Sequence, residues 1–140
     1  MQIREVMTPQ VTTVRPDSPL VEIAKIMREE DIGAVPVTDN EQLLGMVTDR
    51  DIVVRAIVEG HDGLDRTAAD VMSPDVQCCT TDDDVDDVLR DMGNQQIRRL
   101  PVVDDDQRLV GIVSLGDLSR EAKPKEAGKS LKDISQPTGH

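Results

Sequence analysis

Apolar positions along the chain recur with two spacings that take turns. Leu20, Ile23, Ala24 and Met27 stand at i, i+3, i+4 and i+7, the stripe of one helical face. Val85, Val88, Leu89 and Met92 write the same stripe further on. Ser18 and Pro19 ahead of the first stripe suit an N-cap and a first helical turn. The second is entered through "TDDDVDD", whose carboxylates suit the positive end of a helix. Around the stripes lie short runs rich in β-branched residues, which predict strands: "VTTV" and "VQCC" before the helices, then "GAVPVTD" with "LLGMVT", and "RRLPVVD" with "RLVGIVS". The polar links "DNEQ" and "DDQ" predict hairpin turns. A closing helix is expected in each half, from Asp49 to about Glu59 and from Leu115 to about Ala122.

The predicted order is therefore β-α-β-β-α, twice, and the letters repeat as well. "EVMTPQV" from Glu5 falls on "DVMSPDV" from Asp70, an offset of 65, and "AVPVTD" falls on "RLPVVD" at the same offset. One residue more in the turn after Asp104 brings "GMVTDRD" onto "GIVSLGD" at 66. A long unit present twice points to a pseudo-symmetric pair rather than a solenoid. The expected division is a first repeat over residues 1–62, with an N-terminal extension and the start of a linker, and a second over 63–122. A partly helical or disordered tail over 123–140 follows. The linker is "EGHDGLDRTA". A half of about 60 residues buries too little surface to stand comfortably alone, so fused halves of one α+β fold are expected.

Charge narrows the partners. Sixteen basic and 28 acidic side chains give a net charge of -12, which repels phosphate backbones and argues against nucleic acid. There is no Phe, Tyr or Trp, so the core must be aliphatic and no ring is available to stack on single-stranded bases. The start "MQIREVMTPQ" lacks a signal-like apolar run, and nowhere do 18 consecutive apolar residues occur; a cytoplasmic protein without a membrane partner is expected.

Catalytic and metal chemistry find little support. Cys78 and Cys79 are adjacent, and strand neighbours point to opposite faces, which disfavours a disulfide between them. A redox role for the pair is the lesser reading. His61 and His140 complete no spaced metal-ligand set with them. The run Asp82, Asp83, Asp84, Asp86, Asp87 lacks the glycine and closing glutamate of a calcium loop. No nucleophile with base and orienter is evident, so no enzyme, no metal and no required cofactor are expected.

The repeated heptapeptides carry the chemistry. Thr48 and Asp51, like Ser114 and Asp117, stand three apart where a strand gives way to a helix. A hydroxyl there can donate to a phosphate oxygen beside unpaired helix N–H groups. A carboxylate three residues on can accept both hydroxyls of a ribose. The same spacing is also a capping box, which merely closes the helix's free donors, and both roles can coexist.

Two such copies in register, each with an apolar-Pro-Val strand, resemble a tandem pair of cystathionine β-synthase (CBS) domains over about Val6 to Arg120. "MREEDIGAVPV", "GMVTDRDIV" and "RRLPVVD" are similar to stand-alone bacterial CBS pairs of the hypoxic-response type. The resemblance implies a packed pair with interdomain clefts that bind adenosyl ligands (AMP, ADP, ATP, NAD-type compounds or S-adenosylmethionine) as regulators. It also implies disc-like homodimers. Ile32 and Ile97, with Met46 and Ile112 nearby, would then wall the base, although core packing explains them equally well. Where the first copy has Gly33 and Ala34 the second has Arg98 and Arg99, and strand alternation parts their side chains, one toward a phosphate and one toward surface acids. The chain is nearly all repeat, so its signal would leave through an unidentified protein effector or through self-association. A partner-binding adaptor with one or both clefts degenerate is the other reading.

Overall fold

The computed structural model describes residues 1–60 and 65–121. His61, His140 and the tail fall outside the described residues. A 3-10 turn (Ile3–Glu5) leads into α1 (Leu20–Glu30), β1 (Ala34–Asp39), β2 (Gln42–Thr48) and α2 (Asp49–Ile52), which runs on as a π-helical turn, Val53–Ile57. The second copy follows as α3 (Ala68–Val71), β3 (Cys79–Thr80), α4 (Val85–Gln95), β4 (Arg99–Val103), β5 (Leu109–Ser114) and α5 (Leu115–Glu121). β1 and β2 form an antiparallel hairpin, and β3-β4-β5 form a sheet in that order.

The chain sorts into two compact units that exchange their leading segments. One gathers Met1–Val11, Gln77–Asp106 and the chain from Val110; the other gathers Thr12–Val76 with Gln107–Leu109. These units do not follow the sequence segments 1–62 and 63–122, because each copy's first dozen residues side with the other copy's sheet and helices.

In the first of these units, Ile3 is fully buried against Val85, Leu89, Val102 and Leu118. Its N–H donates to the Asp83 carbonyl at 2.9 Å, and the Val85 N–H donates to the Met1 carbonyl at 2.9 Å. In the other unit Ala68 takes the matching place, donating to the Ser18 carbonyl at 2.9 Å, while Leu20 donates to the Arg66 carbonyl at 3.1 Å. The carbonyls that bind these segments lie just before α4 and α1, where a helix-entry turn leaves its backbone unpaired.

Several expectations shift in detail. Helix α1 starts at Leu20 with Pro19 in the cap position, its backbone still extended at φ −65°, ψ 147°. Ser18 is therefore not the N-cap; its Oγ accepts the Arg15 N–H at 3.0 Å and closes the turn ahead of the helix. Ala24 faces solvent, and Ile26 joins Leu20, Ile23 and Met27 instead. "VTTV" reduces to a single parallel bridge, Val14 to Val37. Its counterpart makes a true two-residue ladder, Cys79 with Val102 and Thr80 with Val103. The "DNEQ" turn is a tight hairpin, with Asn40 (φ 49°) and Glu41 (φ 69°) both left-handed as such turns require.

Both long helices end alike. Asp31 (φ 54°) and Gln96 (φ 56°) take the left-handed cap position, so that Ile32 and Ile97 donate back to the Met27 and Met92 carbonyls at 3.0 and 2.9 Å. Each isoleucine is thereby set down at the head of the next strand.

A methionine lies over a glycine in each unit. In one, Thr8 and Ile112 exchange backbone bonds of 2.9 and 3.0 Å; in the other, Ser73 and Met46 exchange bonds of 3.0 and 3.2 Å. The glycine before each strand partner, Gly111 or Gly45, lets the crossing chain come close. A Cβ on Gly45 would stand 2.8 Å from Met72 Sδ and 3.0 Å from the Ser73 carbonyl oxygen, and one on Gly111 would meet Met7 Sδ and the Thr8 carbonyl at the same distances. The sulfur could move, but the carbonyl is fixed by its own bridge. Gly45→Ala and Gly111→Ala are each expected to lower the unfolding free energy by about 1–3 kcal/mol, read from urea midpoints.

Candidate ligand-binding corners

In the unit built on the first copy, β1 and β2 pair so that Ala34 stands opposite Thr48. The Gly33 carbonyl accepts the Asp49 N–H at 3.0 Å, tying the end of the α1-β1 link to the start of α2. Ile32, Gly33 and the Thr48 corner are thus neighbours through the backbone. Thr48 and Asp51 form a closed capping box. Thr48 Oγ1 accepts the Asp51 N–H at 3.1 Å, and Asp51 Oδ2 accepts the Thr48 N–H at 2.9 Å. The cap uses the threonine as an acceptor only, leaving its O–H free to donate.

Asp51 is held from the other side as well. Arg55 Nη1 donates to the Val71 carbonyl at 3.2 Å, and its Nε stands 3.8 Å from Asp51 Oδ1. With its side chain 13% exposed, the carboxylate is a largely enclosed acceptor whose orientation two partners fix. Arg55 was not singled out from the sequence. Its i, i+4 spacing from Asp51 was the available signal, and the carbonyl that anchors it comes from α3, which no pattern announced.

In the other unit the same backbone bond recurs: the Arg98 carbonyl accepts the Leu115 N–H at 2.8 Å. Arg98 and Arg99 therefore stand beside the Ser114 corner. Ser114 Oγ accepts the Asp117 N–H at 3.1 Å, but among the described residues no bond from the Ser114 N–H to Asp117 completes a box. Its carboxylate instead pairs with Arg120 one helical turn on, and at 35% exposure it lines a shallow depression of about 470 Å³ with Met1, Glu5 and Val6. Both Arg98 and Arg99 are exposed, and among the described residues neither guanidinium makes an ion pair or hydrogen bond. The expected pairing of one of them with a surface acid is thus not found there.

The four proposed wall residues divide by depth. Ile32 and Ile97 are half-buried at the edges of their respective cores, Met46 is half-buried opposite Pro36, and Ile112 is buried. Ile112 serves the core and the Thr8 bridge.

A cavity of about 70 Å³ lies behind Ile97, between Cys78, Cys79, Asp83 and Asp91. Both cysteines are free thiols, Cys78 exposed and Cys79 buried at the start of β3. Burial first and the Asp83 charge second raise the Cys78 pKa. Burial, then Asp83, then Cys78 push Cys79 up to about 12. Both thiols are thereby kept from the reactive thiolate form. Among the described residues no group of three or more His, Cys, Asp or Glu side chains could hold a metal, and no helix is long and apolar enough to cross a membrane.

Against known proteins the repeat is decisive: the CBS-domain family model matches residues 3–57 and again 68–123. The chain belongs to the CBS-domain family. As a CBS pair it is 39% identical over 139 residues to the CBS domain-containing protein YhcV of Bacillus subtilis, covering 99% of this chain and 98% of that one. The crystal structure of hypoxic response protein I with two coordinated zinc ions superposes with a TM-score of 0.77 at 36% identity, over 87% of this chain and 99% of that one. The zinc ions are that protein's.

Two further CBS pairs were solved with ligands. The pair from protein MJ0100 holds 5′-methylthioadenosine and S-adenosylmethionine, with a TM-score of 0.74 and 30% identity over 86% of this chain and 94% of that one. CBSX2 holds AMP, with a TM-score of 0.75 and 26% identity over the same shares.

The thiols supply a prediction for this CBS pair. Its stability is expected to be level below the ordinary thiol pKa of 9.0 and to fall as pH rises from there toward about 12, because only the unfolded chain ionises Cys79 in that window. Urea midpoints measured across the window, with Cys79→Ala as the reference that lacks the fall, check it. In the native protein at neutral pH a thiol reagent should label Cys78 slowly and Cys79 only on unfolding.

Proposed function

We propose that this CBS pair is a non-catalytic sensor of adenosyl compounds, with the hydroxyl–carboxylate corners Thr48/Asp51 and Ser114/Asp117 as its ligand-gripping elements. The single observation that carries the reading is the setting of Arg98 and Arg99. In a chain of net charge -12, two exposed guanidiniums with no acidic partner among the described residues stand where the backbone joins them to the Ser114 corner. Cations kept beside a hydroxyl and a carboxylate match what a nucleoside phosphate needs: a fork for the phosphate and a two-oxygen acceptor for the ribose. Related pairs hold AMP, S-adenosylmethionine and methylthioadenosine, which supports the adenosyl class.

The two corners are suited to different members of that class. The corner of the second copy, with its arginines, favours a phosphorylated ligand. The corner of the first copy, with Gly33 and Ala34 in their place, favours one without phosphate. Ile32 and Ile97 take the base on this reading, with Met46 beside the first and Ile112 behind the second. The raised thiol pKa values speak against the redox alternative.

Calorimetric titration with AMP, ATP, NADH and S-adenosylmethionine, after any co-purified ligand is stripped, tests the proposal. At least one is expected to bind; no heat from any of them at millimolar concentration overturns it. Joint Arg98→Ala and Arg99→Ala substitution should weaken AMP at least tenfold while leaving methylthioadenosine unchanged. Asp117→Asn removes one ribose acceptor from a residue that makes no cap bond among the described residues, so affinity should fall with stability within about 0.5 kcal/mol of wild type. Asp51→Asn keeps an oxygen for the Thr48 N–H and separates ligand loss from cap loss in the first corner.

A further inference from the structure

The cavity of about 70 Å³ behind Ile97 is built differently from the matching place in the first copy. All of its lining residues lie in one unit. Its floor is apolar, with Val88, Met92 and Leu100 buried. Its rim is polar and carries Asp83, Asp91, Gln77 and Gln95. Asp83 Oδ2 accepts the Thr80 N–H at 2.9 Å, which fixes that carboxylate in place. The cations nearby in the sequence go elsewhere, Arg4 to Asp82 and Arg90 to Asp87. Among the described residues neither Asp83 nor Asp91 makes an ion pair.

The first copy, read at the offset of 65, shows that the fold does not require this rim. In place of Asp83 it has Ser18, whose Oγ accepts the Arg15 N–H at 3.0 Å and closes the same turn without a charge. In place of Asp91 it has Ile26, packed against the core. In place of Gln77 and Gln95 it has Thr12 and Glu30, and Thr12 Oγ1 donates to Glu30 Oε1 at 2.7 Å. The first copy's rim is thus filled by an isoleucine and bonded to itself. The second copy leaves a space there and sets two carboxylates beside it.

Negative charge above an apolar floor suits a cation on a hydrocarbon stem, the way a lysine side chain divides itself between water and an apolar surface. The volume is that of about two waters, room for an ammonium and one or two methylenes. An ammonium is all donor, and the rim supplies carboxylate and amide oxygens to receive it. Among the described residues the Cys and Asp side chains here form no set of three that could hold a metal ion. We propose that the second copy's cavity binds the ammonium end of a small aliphatic amine, with Asp83 and Asp91 pairing with the charge and Val88, Met92 and Leu100 taking the methylenes. The proposal does not rest on the adenosyl reading, and of the residues assigned to that ligand only Ile97 also lines this cavity.

Cys78 is exposed on the cavity's lining and reports on its occupancy. An amine as small as 1-butylamine binds such a site with a dissociation constant on the order of millimolar. At about ten times that concentration and fixed pH, 1-butylamine hydrochloride should slow labelling of Cys78 by the neutral reagent methyl methanethiosulfonate at least threefold. The same titration should shift the methyl resonances of Met92 and Leu100 with a single saturating curve. 1-Butanol, of the same shape without the charge, and magnesium chloride at equal ionic strength should do neither. Joint Asp83→Asn and Asp91→Asn substitution keeps an oxygen for the Thr80 N–H and should abolish protection with unchanged circular dichroism. The methyl shifts of the wild type decide the matter if that variant does not fold. Absence of both slowing and shifts overturns the proposal, as does equal protection by butanol or magnesium, or protection that survives in a folded double variant.

Discussion

A crossing of two backbones at a glycine organises each unit. Where Thr8 meets Ile112, and where Ser73 meets Met46, a leading segment bonds to a hairpin strand in both directions, with a methionine sulfur resting where any larger residue's Cβ would be. The bridge fixes that segment against the strand whose far end turns into the Thr48 or Ser114 corner. Strand β2 runs only two residues from Met46 to Thr48, and β5 only two from Ile112 to Ser114. A corner so near a pinned point inherits its position from that pin, and a hydroxyl–carboxylate pair is useful for recognition only if it is held in place.

Much of this was legible in the sequence because periodicity and repetition are local. The stripes at Leu20 and Val85, the hairpin turn at Asn40 and the twin heptapeptides each declare themselves within a dozen residues. The exchange of leading segments could not be read, since no local pattern says which sheet a short 3-10 or α turn will join. "VM[ST]P" was visible as a repeat, yet the contact between Met7 and Gly111 spans most of the chain. Ser18 shows the limit of propensity: a good capping residue is spent on the preceding turn because Pro19 is still extended. At the corners, residue types, spacing and the capping box were apparent, but identical spacing could not say that Asp51 would close its box while Asp117 pairs with Arg120.

The two copies keep one backbone plan and part company in their side chains. The copy with a closed capping box and an enclosed Asp51 has no arginine at its strand head and exposes Val53, Val54, Ile57 and Val58 on its closing helix. The copy with the open Asp117 carries both exposed guanidiniums, and the outer face of its closing helix has Ser119 and Arg120. The divergence leaves the shared core pattern of valine, leucine and methionine intact in both copies.

The exchanged segments also set an order of events during synthesis. Thr12–Val76 can gather most of its partners from a continuous stretch as it is made. Met1–Val11 must wait, because the carbonyls of Asp83 and Ile112 that receive its N–H groups are translated far later. Through that interval Ile3, Val6 and Met7 are apolar residues without a seat, which is when a nascent chain is most open to chaperones and to mispairing. Residues 3–8 are thus made well before the elements they dock against, and their unit closes only once those elements follow.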